Sequence, residues 1–279
     1  MTNIEKTYCS EVCSAQGEPL AGTAIQVDVW IMLEYRRAWS AKAVADNQLQ
    51  PTTNAWLTKT VSDFAAIGLV ARPQFIRRPE RTETQQLFVS YQGRLGGLKV
   101  ASESDLHQLD LVTTELEAVR DTQYFVCVNA KRDICCAKFG RPTYAALHKI
   151  LKGRAWQTTH VGGHRYAPNI LVLPQSALYG RVTPGDVPEF LAATENNRLA
   201  RGFLRGQTRY SAIAQIAEHT IINAQELLSE SSDQATFSTP DGARSVTVGP
   251  ALESIEVLPS CGKDRKSITP LIAQPERNG

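Results

Sequence analysis

The sequence contains no apolar run that approaches the roughly 20 residues of a membrane-spanning helix. Residues 1–14 are polar and lack the apolar core of a secretory signal. We therefore expect a cytoplasmic protein that does not insert into a membrane. Cysteine is also scarce, with six in 279 residues, and these are too scattered to form a disulfide framework. In a reducing compartment, such cysteines serve as metal ligands, reactive thiols or buried side chains.

The net charge is small, +2, but it is unevenly distributed. Residues 131–165 contain eight basic residues and one acidic residue, Asp133, so this segment carries +7 and the remainder carries −5. A basic surface attracts an acidic partner protein, although isolated lysines on a helix are often only solvated. No recognised nucleic-acid-binding motif or aromatic interleaving accompanies the charge, so we expect no nucleic-acid partner.

Four side chains that bind transition metals follow the apolar run at residues 124–126. They are Cys127, Cys136, His160 and His164, with eight residues between the cysteines and three between the histidines. This spacing predicts two half-sites on two loops. Zinc-finger cysteines are usually two to four residues apart, so the wider gap weakens a simple zinc site without excluding it. An iron–sulfur cluster is wider than one ion and can be held by separate loops.

The same residues resemble a known family. Cys127-Val-Asn-Ala-Lys-Arg-Asp-Ile-Cys-Cys136, Thr159-His-Val-Gly-Gly-His-Arg165 and Pro168-Asn-Ile-Leu-Val-Leu-Pro174 are similar to segments of the sucrase/ferredoxin-like proteins, which are thioredoxin-like 2Fe-2S ferredoxins. The resemblance implies a 2Fe-2S cluster with Cys127 and Cys136 on one iron and His160 and His164 on the other. Cys135 remains a bystander, an alternative ligand or a reactive thiol. No carboxylate pair in the sequence singles out a glycosidase site.

The order of apolar runs and turn signals predicts an α/β protein built from two thioredoxin-like units in tandem, only the second of which holds the cluster. A C-terminal helix and β-hairpin follow. We divide the chain into a thioredoxin-like half without a cluster (1–122), a cluster-binding ferredoxin domain (123–197) and a C-terminal helix, hairpin and tail (198–279). Predicted strands cover 24–34, 72–77, 87–91, 124–128, 155–159, 169–173 and 177–181, and predicted helices cover 54–67, 141–152, 187–194 and 210–228.

Several residues outside the four ligands receive weaker predictions. Arg198, Arg201 and Arg205 fall on one face if their segment is helical, which favours a solvated or docking face. Cys9 and Cys13 have no second pair nearby and are expected to be ordinary thiols. Cys261 is expected to be a buried apolar side chain. Residues 263–279 are polar and expected to be frayed.

These patterns favour a one-electron carrier whose redox partner, a reductase or an acceptor, is acidic. Imidazole ligands would raise its potential, as in Rieske centres, and would allow coupling to protons. The pattern favours a non-catalytic carrier over an enzyme. One alternative is a thiol–disulfide oxidoreductase, although its usual C-x-x-C motif is absent. The other is an interaction module stabilised by zinc.

Overall fold

The computed structural model describes residues 7–275, which contain five α-helices and sixteen strands. A short 3-10 turn covers His164–Tyr166. The elements in chain order are α1 (Cys9–Ala15), β1 (Val29–Glu34), α2 (Pro51–Ala66), β2 (Ala71–Arg77), β3 (Gln85–Tyr91), β4 (Arg94–Val100), β5 (Glu117–Ala118), β6 (Gln123–Cys127), α3 (Ile134–Leu151), β7 (Ala155–Thr158), β8 (Ile170–Leu173), β9 (Ala177–Tyr179), α4 (Val187–Thr194), β10 (Leu204–Gln207), α5 (Ala212–Thr220), β11 (Leu227–Glu230), β12 (Gln234–Thr239), β13 (Gly242–Pro250), β14 (Ile255–Val257), β15 (Lys266–Ile268) and β16 (Leu271–Ala273).

Ten strands form one mixed sheet in the order β10-β9-β8-β6-β7-β2-β1-β3-β4-β5. The same arrangement occurs twice in it. In each half, a helix connects two parallel strands, and two further strands are added in antiparallel fashion beside the first of them. The resulting strand order is β2-β1-β3-β4 in one half and β7-β6-β8-β9 in the other. Antiparallel pairing of β2 with β7 joins the halves. The predicted α/β fold of two thioredoxin-like units is therefore confirmed.

The first strand of each half is buried on both faces. We predicted one buried face over residues 24–34, but β1 begins later and all six of its residues are buried. Because successive side chains of a strand point to opposite faces, Ile31 and Leu33 enter one core while Trp30 and Met32 enter the other. In β6, Val126 faces the first core and Cys127 the second. Cys127 thus ends β6 inside the second core.

Helix α3 begins seven residues earlier than the predicted start at residue 141. Asp133 caps it, because the Asp133 carboxylate accepts a hydrogen bond of 2.9 Å from the Cys135 backbone N–H. Pro142, which we expected in the first turn, lies inside the helix. Proline has no backbone N–H, so the carbonyl of Lys138 lacks its helical hydrogen-bond donor. Lys138 and Pro142 are both exposed, so this missing hydrogen bond lies on the solvent side of the helix. Cys136 consequently lies in the first turn of a helix and not on a loop.

The C-terminal region contains more β-strands than the sequence predicts. Helix α5 ends at Thr220, well before the expected residue 228, because the chain becomes extended at Ile221 and has a positive φ at Asn223. Strands β11, β12, β13 and β16 form a second sheet that packs on α5, and the predicted hairpin at 240–242 is confirmed. Strands β15 and β16 replace the predicted frayed tail up to residue 273, while 276–279 lie outside the described residues.

The predicted domain boundaries fall between β5 and β6 and between α4 and β10. One sheet continues across both positions, and the boundaries remain predictions. None of the helices in residues 7–275 combines the length and the apolar character that crossing a membrane requires.

Gly140 is the position at which α3 approaches β6 most closely. A Cβ atom there would overlap the backbone carbonyl oxygen of Cys127, which cannot move without displacing β6. We predict that Gly140→Ala lowers the free energy of unfolding by roughly 1–3 kcal/mol, because overpacking outweighs the helix propensity that alanine adds.

Urea denaturation checks this prediction, with Gly202→Ala as the matched control, since a Cβ at Gly202 meets no atom within 4 Å. Equal unfolding midpoints for the two variants would contradict the close approach.

Candidate metal centre

Two cysteine sulfurs meet where β6 ends and α3 begins. Cys127 is the last residue of β6, and its backbone N–H donates to the carbonyl of Asn169, at 3.0 Å. Cys136 lies in the first turn of α3, and neither side chain is exposed to solvent. A hydrogen bond from Cys136 lowers the pKa of Cys127 well below its usual value against the opposing effect of burial, and His160 acts in the same direction. The two cysteines together therefore release a first proton more readily than an isolated buried thiol does.

His160 completes a group of three donors with these cysteines. Its Nδ1 lies 3.6 Å from the Cys136 sulfur and 3.9 Å from the Cys127 sulfur. The three donor atoms lie within 4.8 Å of one another. His160 is half-buried, whereas both cysteines are fully buried, so the imidazole is the part of the group nearest to solvent.

The first unit of the fold holds the segment that presents His160. The Thr159 backbone N–H donates to the Phe75 carbonyl, at 2.9 Å, and the Phe75 N–H donates to the Thr159 hydroxyl oxygen, at 3.1 Å. The Thr159 hydroxyl in turn donates to the Gln74 side-chain oxygen. Thr159 and Gln74 are both buried. These bonds fix the chain one residue before His160.

His164 lies beside the three donors, with its ring centroid 5.4 Å from that of His160. Its Nε2 is 2.7 Å from the carbonyl oxygen of Pro259. Because a carbonyl oxygen only accepts, Nε2 carries the hydrogen and Nδ1 keeps its lone pair. That Nδ1 is buried and has no hydrogen-bond partner among residues 7–275. Burial also lowers the pKa of His164, which favours the neutral imidazole that binds metals.

Arg205 holds the loop between the two histidines in place. This guanidinium is buried and donates to the Gly162 carbonyl and to the Asn169 side-chain oxygen, each at 2.9 Å. Asn169 donates in turn to the Gly163 carbonyl, at 2.9 Å. Burial lowers the pKa of Arg205 to about 10. The predicted helical face of arginines is therefore wrong, because Arg205 lies on β10 and points into the protein.

Gly163 is required by both conformation and space. Its φ of +68° lies in the left-handed region, and a Cβ there would be 2.5 Å from the Arg205 Nη2 and 2.7 Å from the Tyr166 ring. Gly162 also has a positive φ, +96°, but a Cβ on it would meet no atom within 4 Å. The glycine pair allows the loop to turn tightly over Arg205, which brings the two histidines to the same side.

The donor set fits a 2Fe-2S cluster in chemistry. Two thiols and the Nδ1 of His160 converge. The Nδ1 of His164, on a ring whose centroid lies 5.4 Å from that of His160, is buried without a hydrogen-bond partner among residues 7–275. Five other side-chain nitrogens of residues 7–275 are also buried without a partner, and the Nδ1 of His164 is distinguished from them by its place beside His160. The three-donor group does not include His164 or Cys135. Cys135 instead contacts two other cysteines, Cys9 and Cys261.

Sequence reasoning missed the residues that hold the donors in place, namely Asp133, Asn169, Arg205 and Pro259. Asp133 alone had a usable signal, because aspartate directly before an apolar segment is a typical helix N-cap. Arg205 and Pro259 act on residues distant in the chain, Asn169 also bonds Gly163 six residues away, and no local pattern marks any of the three.

The sucrase/ferredoxin-like family model matches residues 20–206. Among curated proteins, altered inheritance of mitochondria protein 32 from Meyerozyma guilliermondii is 30% identical over 97 residues, covering 31% of this chain and 34% of that protein. The protein of the same name from Candida glabrata is 29% identical over 105 residues, covering 32% of this chain and 34% of its own length. This chain thus spans about a third of the curated relatives that it matches.

A solved structure described as a thioredoxin-like 2Fe-2S ferredoxin from Aquifex aeolicus aligns with 31% of this chain and 91% of its own, with 20% identity and a TM-score of 0.26. The match to the family model has a wider span. It covers about two thirds of the chain and includes all four predicted ligands, so the chain belongs to the sucrase/ferredoxin-like family.

Proposed function

We propose that this protein is an electron carrier that holds one 2Fe-2S cluster on Cys127, Cys136, His160 and His164. The observation that carries the proposal is the Nδ1 of His164, which is buried without a partner in the described chain while Pro259 keeps the hydrogen on Nε2. A second imidazole nitrogen is thereby available on a ring whose centroid lies 5.4 Å from that of His160. Membership of a family named in part for ferredoxins supports the same conclusion.

The ligand types determine the redox behaviour that we expect. When bound, a cluster with two thiolates and two neutral imidazoles is formally uncharged in its oxidised state, whereas four thiolates would give −2, so it accepts an electron more readily than a plant-type ferredoxin cluster. The chain contributes the dry surroundings of Cys127 and Cys136 and the fixed orientation of both imidazoles. Both imidazoles are half-buried while both cysteines are fully buried, so the histidine side of the centre is nearer to the surface.

A shallow cavity of about 370 Å³ opens beside His160 and is suited to an acidic partner. Its lining includes Arg72 and Arg132, together with the small side chains of Ala41 and Ala43. Arg132 is exposed, whereas Arg154 and Arg165 of the basic segment are paired with Glu195 and Glu18. Arg132 thus places an exposed positive charge at the cavity beside His160, in addition to the exposed charges along α3. The redox partner remains a proposal based on this charge.

The protein purified without oxygen should be brown, contain two irons and two sulfides per chain, and lose colour on reduction with dithionite. His164→Cys should keep the cluster and lower its reduction potential by roughly 100 mV or more, because thiolate replaces a neutral ligand. His107→Cys is the control, because His107 lies outside the centre and contacts Thr53.

A colourless protein without iron would overturn the proposal. Unchanged potential in an iron-loaded His164→Cys would remove His164 from the ligand set.

Charge reversal at Arg132 should slow electron transfer from an acidic donor such as reduced flavodoxin. We predict that Arg132→Glu lowers the bimolecular rate about tenfold or more at low ionic strength, and that added salt reduces the difference. Stopped-flow absorbance measures the rate. Lys149→Glu, an exposed charge at the far end of α3, is the matched control, and an equal loss in both variants would argue against a docking surface beside His160.

A zinc-stabilised module is the second candidate. The observation that favours it is the close spacing of Cys127, Cys136 and His160, since three donors within 4.8 Å of one another suit a single ion. One zinc bound at these residues in place of iron would establish it.

The six cysteines form no disulfide in the described chain, which suits the reducing cytoplasm that we propose as the location of the protein.

A further inference from the structure

A second group of metal-binding side chains lies at the N-terminus of α3, separate from the centre described above. Cys9 of α1, Cys135 of α3 and Cys261, which follows β14, bring their sulfurs together. The sulfur–sulfur distances are 3.5 Å for Cys9 and Cys135, 3.2 Å for Cys135 and Cys261, and 3.7 Å for Cys9 and Cys261. The Oδ1 atom of Asp133 lies 3.8 Å from the Cys9 sulfur.

We propose that Cys9, Cys135, Cys261 and Asp133 form a structural zinc site. Their four donor atoms lie within 4.8 Å of one another. In a tetrahedral site with zinc–sulfur bonds of about 2.3 Å, the sulfurs are about 3.8 Å apart, close to the distances seen here. Three thiols cannot all be paired in one disulfide, whereas one ion can bind all three. Three thiolates and a carboxylate make a closed set of four protein ligands, as in structural zinc sites, with Asp133 in the place that a fourth cysteine or a histidine usually takes.

The surroundings shield the four donors from water and supply partial positive charge. Cys9, Cys135 and Asp133 are buried and Cys261 is half-buried, so the donors are largely screened from water. The Cys9 backbone N–H points at the Cys261 sulfur, at 3.4 Å. The N-terminus of α3 places its positive dipole end beside Cys135. These groups offset the negative charge of the ligands.

Asp133 is oriented for this role by three hydrogen bonds. Its Oδ1 accepts from the Cys135 backbone N–H, at 2.9 Å. Its Oδ2 accepts from the Ser260 hydroxyl, at 2.8 Å, and from the Cys261 backbone N–H, at 3.0 Å. A carboxylate oxygen has room for a second bond, so Oδ1 can bind an ion without giving up the helix cap. On binding, three S–H bonds are replaced by three zinc–sulfur bonds and the three protons pass to water.

The site would connect three distant parts of the chain. Cys9 and Cys135 are 126 residues apart, as are Cys135 and Cys261. The segment that carries Cys261 also carries Pro259, whose carbonyl holds the Nε2 of His164. Zinc would therefore anchor α1 and the 258–261 segment to α3 and fix the group that orients His164. The zinc site itself does not depend on the proposed function.

Metal analysis of the full-length protein, purified anaerobically in the presence of zinc, tests the proposal. We expect one zinc per chain in addition to any iron, and zinc X-ray absorption should show three sulfur neighbours and one oxygen. Cys261→Ser should lose the zinc and retain the iron.

Two control variants separate this site from its neighbours. Cys13→Ser removes a buried thiol from the same helix α1, but Cys13 is outside the donor group and contacts the Leu258 carbonyl, so its zinc should remain. His160→Ala should lose iron and keep zinc. A wild-type protein that holds zinc but contains neither iron nor sulfide would refute the proposed function and leave the zinc site standing.

Three results would overturn the zinc site. The first is a wild-type protein that contains no zinc, and the second is zinc that is lost from His160→Ala but kept by Cys261→Ser. The third is a disulfide among Cys9, Cys135 and Cys261 in protein whose free thiols are trapped with an alkylating agent. If Cys261→Ser does not fold, X-ray absorption of the wild-type protein still decides between the sites. Zinc with two sulfur neighbours and one or more imidazoles would be bound at Cys127, Cys136 and His160, and not at the proposed site.

Discussion

The cap that Asp133 places on α3 is the interaction on which both groups of donors depend. Because the helix begins at this point, Cys135 and Cys136 occupy its first turn and point in different directions. Cys136 meets Cys127 and His160, while Cys135 meets Cys9 and Cys261. The same carboxylate binds the backbone of Cys261, and it lies 3.7 Å from the Nε2 of His164. One side chain thus couples the start of a helix to two sites.

The duplicated fold explains how these sites are braced. Residues 29–100, which hold the strands of the first unit, contain no cysteine or histidine, so this unit cannot supply a Cys/His centre. It contributes through β2, whose Gln74 and Phe75 fix Thr159 immediately before His160. On the other side, Arg205 from β10 holds the loop between the histidines. The unit without ligands therefore serves as a rigid support for the unit that has them.

Much of the fold followed from local sequence patterns. Apolar runs located β2, β3, β6, β7 and β8 within about two residues, because each of these strands buries apolar side chains in a core. The start of α3 was missed because Pro142 is a stronger local signal than a single N-cap aspartate. Arg205 was misplaced because its spacing from Arg198 and Arg201 fits a helix, whereas the chain here pairs with β9 as an extended strand.

The two groups of donors differ in how visible they are in the sequence. Cys127, Cys136, His160 and His164 form two pairs with short spacings, and the sequence therefore marked them as candidate ligands. Cys9, Cys135 and Cys261 are separated by 126 residues at each step and meet only when α1 and the segment after β14 pack against α3. Long-range packing of this kind leaves no periodic or spacing signal along the chain.

The central claim is that His160 and His164 are ligands of the cluster. Pulsed electron paramagnetic resonance tests it most directly, on dithionite-reduced protein produced in cells that are supplied with ¹⁵N-labelled histidine. Two strongly coupled histidine nitrogens are predicted, and His164→Cys should remove one of them. A paramagnetic cluster without any coupled histidine nitrogen would contradict the assignment of His160 and His164 as ligands.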